Sequence, residues 1–330
     1  MAIFRCNKCG LLAEQADDQA GQSCACSRCG ANGAIYPTLF FIEKLLDRYF
    51  AALKENMQLK GAAGESFAPS AVAGEEKIDA IDLANTDFLA SDQQHGPIYD
   101  WFHKKQIKAA ANLRSVDTSG FFDEVAEAIG ANLPVLEEVV ERIRWSQQKE
   151  YAGTTIALEK KSPEEARAIS EFCQQLYDFS FVAKCFHNKK PENSVRLILQ
   201  TAPAIRNFFN GEWLEWHALM SALRHAKERK RRFSCARGLK LTLANGDNHE
   251  LDVFMLIDGT TPVCIECKSG EFRQDIDRYL ALKKRLGMDR KQFIMCIAGL
   301  EDEKTRAFSA MYDLSFTNER GLSQQLASLF

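Results

Sequence analysis

The chain has 330 residues, a formal net charge of −3, 46% hydrophobic and 26% charged residues. This composition excludes wholesale disorder and leaves any affinity for nucleic acid to a local basic patch rather than a global field. No apolar run approaches the roughly 18 residues of a membrane span, and the opening MAIFRCNKCG has no apolar stretch behind a basic one, so a cytoplasmic protein without a secretory signal is expected.

Residues 1–36 read as a zinc ribbon. CNKCG and CSRCG place Cys6/Cys9 and Cys26/Cys29 as two knuckles with 16 residues between them. Two Cys-x-x-Cys pairs supply four thiolates, which complete a tetrahedron around one structural Zn²⁺ and leave no open position. Cys24 is a spare that could replace a ligand, and a redox use of either pair is the lesser reading. Such ribbons bind nucleic acid or protein, and the spacing does not say which.

Over 37–60, Phe41, Leu45, Leu46 and Tyr49 recur at helical spacing and predict a long helix. Residues 61–82, with GAAGESFAPSAVAGEEK, are small, polar and aperiodic, hence a linker. Residues 83–160 are expected to be winged-helix-like. Phe122, Val125, Ala126 and Ile129 form one helical stripe, Leu136, Val139, Val140 and Ile143 a second begun by Pro134, and SQQKEYAGTTIALEKK reads as a short hairpin. The second helix carries Glu137, Glu138 and Glu141 beside Arg142 and Arg144. Acids there would repel phosphates, so a protein partner or a packing role is expected at this region. Residues 161–200 connect, opening on a helix with Ser162 as N-cap and Pro163 in its first turn.

Residues 201–330 predict helix, three strands, helix, strand, helix: an α-β-β-β-α-β-α domain with a mixed sheet. The whole is a multi-domain α/β protein. Within the last domain, HELDVFMLIDGTTPVCIECKSG holds Asp252, Glu266 and Lys268 in an otherwise apolar hairpin. Folded about Gly259, the hairpin sets Asp252 opposite Glu266, with Glu266 and Lys268 on one face. Two carboxylates that close raise each other's pKa, and a cation between them removes the penalty. Oxygen donors suit Mg²⁺ or Mn²⁺, and Lys268 is placed to orient water or steady charge on a phosphate. The plain alternative is a Glu266–Lys268 ion pair at a strand end.

The run Asp252, hairpin, Glu266-x-Lys268 resembles the central motif of the PD-(D/E)XK nuclease superfamily, a restriction-endonuclease-like fold. NGEWLE resembles the segment before the nuclease core of CRISPR-associated ancillary nucleases. The resemblance covers about residues 200–330. It implies a metal-dependent endonuclease acting on DNA or RNA in defence or repair. Asp252, Glu266 and the Cys267 backbone would be metal ligands and Lys268 catalytic, with a helix acid that is Glu215 or, as substitute, Glu212. Relatives carry a Gln and a Tyr four apart after the motif; here Gln274 and Tyr279 are five apart. The sensor domain of those nucleases has no counterpart in the sequence. The basic run Arg229, Lys230, Arg231 and Arg232 is read either as a solvated face or as phosphate contacts beside the site. A homodimer is a further expectation. The rival function is a nucleic-acid-binding or adaptor protein whose nuclease-like domain is inactive.

Overall fold

The computed structural model describes residues 2–6, 8–9, 11–38, 42, 89, 92–116, 121–188 and 193–330. The chain divides into Met1–Gly74 and Glu75–Phe330. The helix expected over 37–60 and the linker over 61–82 lie almost wholly outside the described residues.

In the first unit, β1 (Ala2–Arg5), β2 (Leu12–Gln15), β3 (Ser23–Ala25) and β4 (Asn32–Pro37) form an antiparallel sheet in the order β2-β1-β4-β3. Among the described residues, its buried core is Ala2, Phe4 and Ile35 with Cys6 and Cys26. So small a core needs a second source of stability. Each knuckle lies in a turn between paired strands, and Cys6, Cys9, Cys26 and Cys29 bring their sulfurs within 4.8 Å of one another. Cys6 lies 3.5 Å from Cys29 and Cys9 3.5 Å from Cys26. Gly30 adopts φ +70°, which lets its N–H bond the Cys26 carbonyl at 2.9 Å. A backbone hydrogen bond from Cys9 is the chief cause that pulls the Cys6 thiol down to about 6, which favours the thiolate a metal requires. Cys24 is half-buried and stands outside the group. Four thiolate donors so placed fit Zn²⁺.

The second unit centres on a six-stranded mixed sheet in the order β13-β12-β11-β10-β9-β5. Its strands are β5 (Lys108–Ala110), β9 (Phe233–Thr242), β10 (Asn248–Ile257), β11 (Thr261–Lys268), β12 (Phe293–Ile297) and β13 (Ser315–Thr317). Strands β9, β10 and β11 are antiparallel neighbours, whereas β11, β12 and β13 run parallel. Both faces are covered, so the central strands read as near-continuous apolar runs. One face packs on α1 (Asp92–His103), α7 (Ile276–Leu286) and Phe308 of α8 (Asp302–Met311). The other packs on α2 (Phe122–Ala131), α6 (Trp213–Glu228) and α9 (Leu322–Ala327). Among the described residues no helix is long and apolar enough to cross a membrane.

Three expectations change. First, α1 and β5, read as part of the winged-helix-like block, belong to the mixed sheet: Phe102 meets Phe254 at 4.9 Å between ring centroids, and Ala109 pairs with Leu241. Second, no hairpin forms over 146–161. Strand β6 (Gly153–Ala157) pairs antiparallel with β8 (Ser194–Leu199), and β7 (Val182–Asn188) completes a sheet in the order β6-β8-β7. The partner lies beyond α4 (Pro163–Asp178), a separation that local periodicity cannot register. Third, the boundaries expected at 160 and 200 do not divide the structure, because Ile156, Val195 and Leu197 share one core with α2, α3 (Leu133–Gln148) and α6. Gly130 permits this approach: a Cβ there would lie 2.3 Å from His217 Nδ1 of α6.

The cysteine unit yields a direct expectation. Protein purified under reducing conditions should hold one tightly bound zinc, and Cys26→Ser should release it and lower the melting temperature, since structural metal binding contributes folding free energy. Metal analysis by mass spectrometry that finds no zinc in the wild type would refute the assignment.

Candidate active site

The hairpin of β10 and β11 turns through Asp258 and Gly259, both at positive φ (47° and 71°), with Thr260 N–H bonded to the Ile257 carbonyl. Its register runs from Ile257↔Thr261 to Val253↔Ile265, which is the centring on Gly259 that the sequence predicts. The ladder stops one step before Asp252 and Glu266. On the other side of β10, Leu251 pairs with Leu239 and Val253 with Arg237, and Gly238 between them takes φ +63°. The register is the same on both sides of Gly238, so no residue is inserted there. The Asp252 carboxylate accepts a hydrogen bond from Cys267 N–H at 2.7 Å.

Three charges then meet. Lys268 Nζ stands 3.6 Å from Asp252 and 4.0 Å from Glu266. Glu266 is only 1% exposed. Burial, then the Asp252 charge, push the Glu266 carboxyl well above the ordinary carboxylate range, and burial also raises Asp252 despite the pull of Lys268. Burial opposes the ammonium of Lys268, but the two carboxylates outweigh it and its pKa rises, so it stays protonated at neutral pH. Tyr279 of α7 closes this side: its ring centroid is 5.5 Å from Lys268 Nζ, and burial, then the Glu266 charge, push the pKa of its hydroxyl up. Gln274 is exposed in the short turn before α7.

The facing wall comes from the segment before α6. The helix expected from Ala204 onward is broken. A short α5 (Pro203–Asn207) passes through a π-turn, Phe208–Glu212, in which Gly211 has φ +139°, and α6 starts afresh at Trp213. A Cβ on Gly211 would meet Ser269 Oγ at 2.9 Å, so only glycine lets the turn close on the loop after Lys268. Between them lies a cleft of about 450 Å³ lined by Asn210, Gly211, Glu212, Glu215 and Lys268.

Glu215 of α6 is brought to this cleft but is not free. Arg237 Nη1 donates to its Oε2 at 2.9 Å. Arg237, 7% exposed, is itself fixed: its Nε donates to the Ser115 carbonyl at 2.5 Å and its guanidinium lies 4.4 Å over the Trp216 ring. Burial and the Asp252 charge push Glu215 up to about 8 in spite of Arg237. Among the described residues, Glu215, Asp252 and Glu266 do not close into one group of ligand atoms within 4.8 Å, as the four cysteines do. Arg237 is the residue that sequence reasoning underused. A charge at Arg237 in the apolar stretch FSCARG carries the same signal as Asp252 and Glu266 in theirs.

The basic run lies elsewhere. Arg231 pairs with Asp258 in the hairpin turn at 2.6 Å and donates to the Phe330 carbonyl, and Arg232 N–H donates to Asp258 at 3.1 Å. Six residues of β10 separate Asp258 from Asp252, about 20 Å at ~3.3 Å per residue. Arg229 and Lys230 follow α6 at that same far end. The run is therefore not beside the carboxylates, and Arg231 is engaged in holding the turn.

No protein-family model matches the chain, and no curated protein matches it. Among solved structures, protein VC1899 from Vibrio cholerae aligns at 16% identity and a TM-score of 0.47. Can2 from Sulfobacillus thermosulfidooxidans, solved in complex with cyclic tetra-adenylate, aligns at 16% identity and a TM-score of 0.46. Each alignment covers 70% of this chain, which spans 60% of the length of those proteins. Likeness at that level carries no weight for function.

Two outcomes follow from the charges. With chelator present, Glu215 holds a proton in the folded state between its ordinary 4.5 and about 8, whereas the unfolded chain has lost it. The folded state binds more protons across that window, so stability should fall as pH rises through it and level off above. Asp252 and Glu266 act with the same sign. Urea midpoints measured from pH 5 to pH 8.5 should decline, less steeply in Glu215→Gln; a rising midpoint would contradict the site. Arg237→Met should lower the urea midpoint, because it leaves the buried Ser115 carbonyl and the Glu215 carboxyl without their donor.

Proposed function

We propose that this cleft hydrolyses phosphodiester bonds in nucleic acid with a divalent cation held by Asp252, Glu266 and the Cys267 backbone. The observation that supports it most is the imbalance of charge at the end of an apolar hairpin. Two carboxylates, one of them 1% exposed, share a single lysine 3.6 and 4.0 Å away, while Arg237 is committed to Glu215. A structural ion pair needs one acid per base. The second buried carboxylate is a standing cost unless a cation joins it. Carboxylate and carbonyl oxygens fit Mg²⁺ or Mn²⁺.

Such an ion, when bound, lowers the pKa of water and offsets the charge on a phosphate. The chain's own groups do the rest. Lys268, held protonated by its neighbours, serves to donate hydrogen bonds to the attacking water or to a phosphate oxygen as charge grows there, not to act as a base. Tyr279 packs its ring beside Lys268 from the α7 side. Glu215, outside a single ion's reach of the other two acids, suits the role of orienting water from the facing wall. Glu212 also lines the cleft and lacks Arg237's hold, so Glu215 is the better placed acid.

Cleavage of labelled DNA and RNA with Mg²⁺ or Mn²⁺ should be lost in Asp252→Asn, Glu266→Gln and Lys268→Ala, each of which should stay folded. Without metal, Glu266→Gln should melt at or slightly above the wild type, because it relieves a carboxylate whose pKa is raised by burial and by Asp252. Were Glu266 only the partner of Lys268, the same change would cost about 3 kcal/mol. Marked destabilisation with cleavage intact would sink the proposal.

A further inference from the structure

The C-terminal half of α3 carries a surface that its amino-acid composition conceals. Of its acids, Glu138 pairs with Lys161 at 2.8 Å and Glu141 with Arg144. Arg142 and Lys149 are exposed and make no ion pair with a described residue. Arg142, Trp145 and Lys149 follow at i, i+3 and i+7, hence on one helical face. Trp145 is 47% exposed, and Tyr151, 53% exposed, packs edge-on against it with ring centroids 5.3 Å apart. Glu150 is the one acid of the turn that follows α3.

This face adjoins the cleft. Gln148, one helical turn from Trp145, donates to Asn210 at 3.4 Å, and Asn210 lines the cleft with Glu212 and Glu215. We propose that Arg142, Trp145, Lys149 and Tyr151 form a stacking platform for single-stranded nucleic acid that leads into the cleft; this rests on the reading of the cleft as a phosphodiester site. Exposed rings between unpaired cations match a strand whose bases lie open beside its phosphates. A duplex stacks its bases on one another and offers none to a ring. The acid-rich cleft itself repels phosphates, so a cationic approach beside it serves a substrate that the acids alone would turn away.

Binding of fluorescein-labelled oligothymidylate, oligouridylate and a DNA duplex by the full-length protein, in chelator, tests this without cleavage. Trp145→Ala with Tyr151→Ala should weaken both single strands at least about tenfold, leave the duplex unchanged, and leave the melting temperature near wild type. Trp145→Phe should recover most of the loss. Arg142→Ala with Lys149→Ala should flatten the salt dependence. Single strands bound by the aromatic double variant as tightly as by wild type, or weakened no more than duplex, would overturn the platform and assign the rings to a protein contact; so would a wild type that binds no single strand. Platform-dependent binding by a protein that cleaves nothing with Mn²⁺ would leave the platform standing and refute the phosphodiester reading. Cleavage with platform variants unaffected would do the reverse.

Discussion

The repulsion between Asp252 and Glu266, one rung beyond the Val253–Ile265 pair at the open end of an apolar hairpin, is the constraint on which the cleft depends. Glu266 cannot withdraw into water, because α7 covers it on one face and β12 flanks its strand. Asp252 cannot retreat either, since the Cys267 N–H holds it. Lys268 lies within 4.0 Å of both, Tyr279 packs beside that lysine, and the Cys264 thiol donates to Glu266 Oε1 at 3.8 Å. The arrangement makes sense as a site held ready for positive charge, and little sense as a device for stability.

Two glycines bring the walls together. Gly211 breaks what would be one long helix, so α6 begins where Glu215 can reach Arg237 of β9. Gly238 takes its positive φ in β9 opposite Asp252, between the pairs Leu251–Leu239 and Val253–Arg237. Aromatic packing makes the first of these rigid. Phe122, Phe181 and Phe208 form a cluster of mutual contacts between 5.0 and 5.5 Å, and Trp216 joins it beneath Arg237.

Local signals were legible in the sequence and non-local ones were not. The turn at Asp258-Gly259, the alternation of β10 and β11 and the two cysteine knuckles are each set by residues within a few positions of one another, and the observed register and sulfur cluster follow them. The capped start of α4 is as local: Ser162 and Glu165 exchange hydrogen bonds there. The pairing of β6 with β8 is different. Its partner is chosen by burial of Ile156 against Val195 and Leu197 in a shared core, which no short window contains. The same holds for β5 at the sheet's edge and for Arg231, whose charge looked available until its hairpin turn was seen beside it. Arg237 was visible as an anomaly, but its partner Glu215 lies on another element and only folding joins them.

The edge of the mixed sheet shows why these charged features need not compromise solubility or register. Strand β13 ends the sheet, where unpaired backbone groups invite association with another chain. Ser309 of α8 answers both: its Oγ accepts from Phe316 N–H at 2.8 Å and donates to the Phe316 carbonyl at 3.4 Å. Asn318 then ties the end of the strand to Leu300, Asp302 and Gly321. The α3 face and the cleft beside it lie away from that edge. Helix α3 buries Val139, Val140 and Ile143 in the core while Gln148 touches the cleft lining. A ligand on its outer face would thus be held by the same rigid element that supports the wall of the cleft, so position on that face sets position at Asp252 and Glu266 without any moving part.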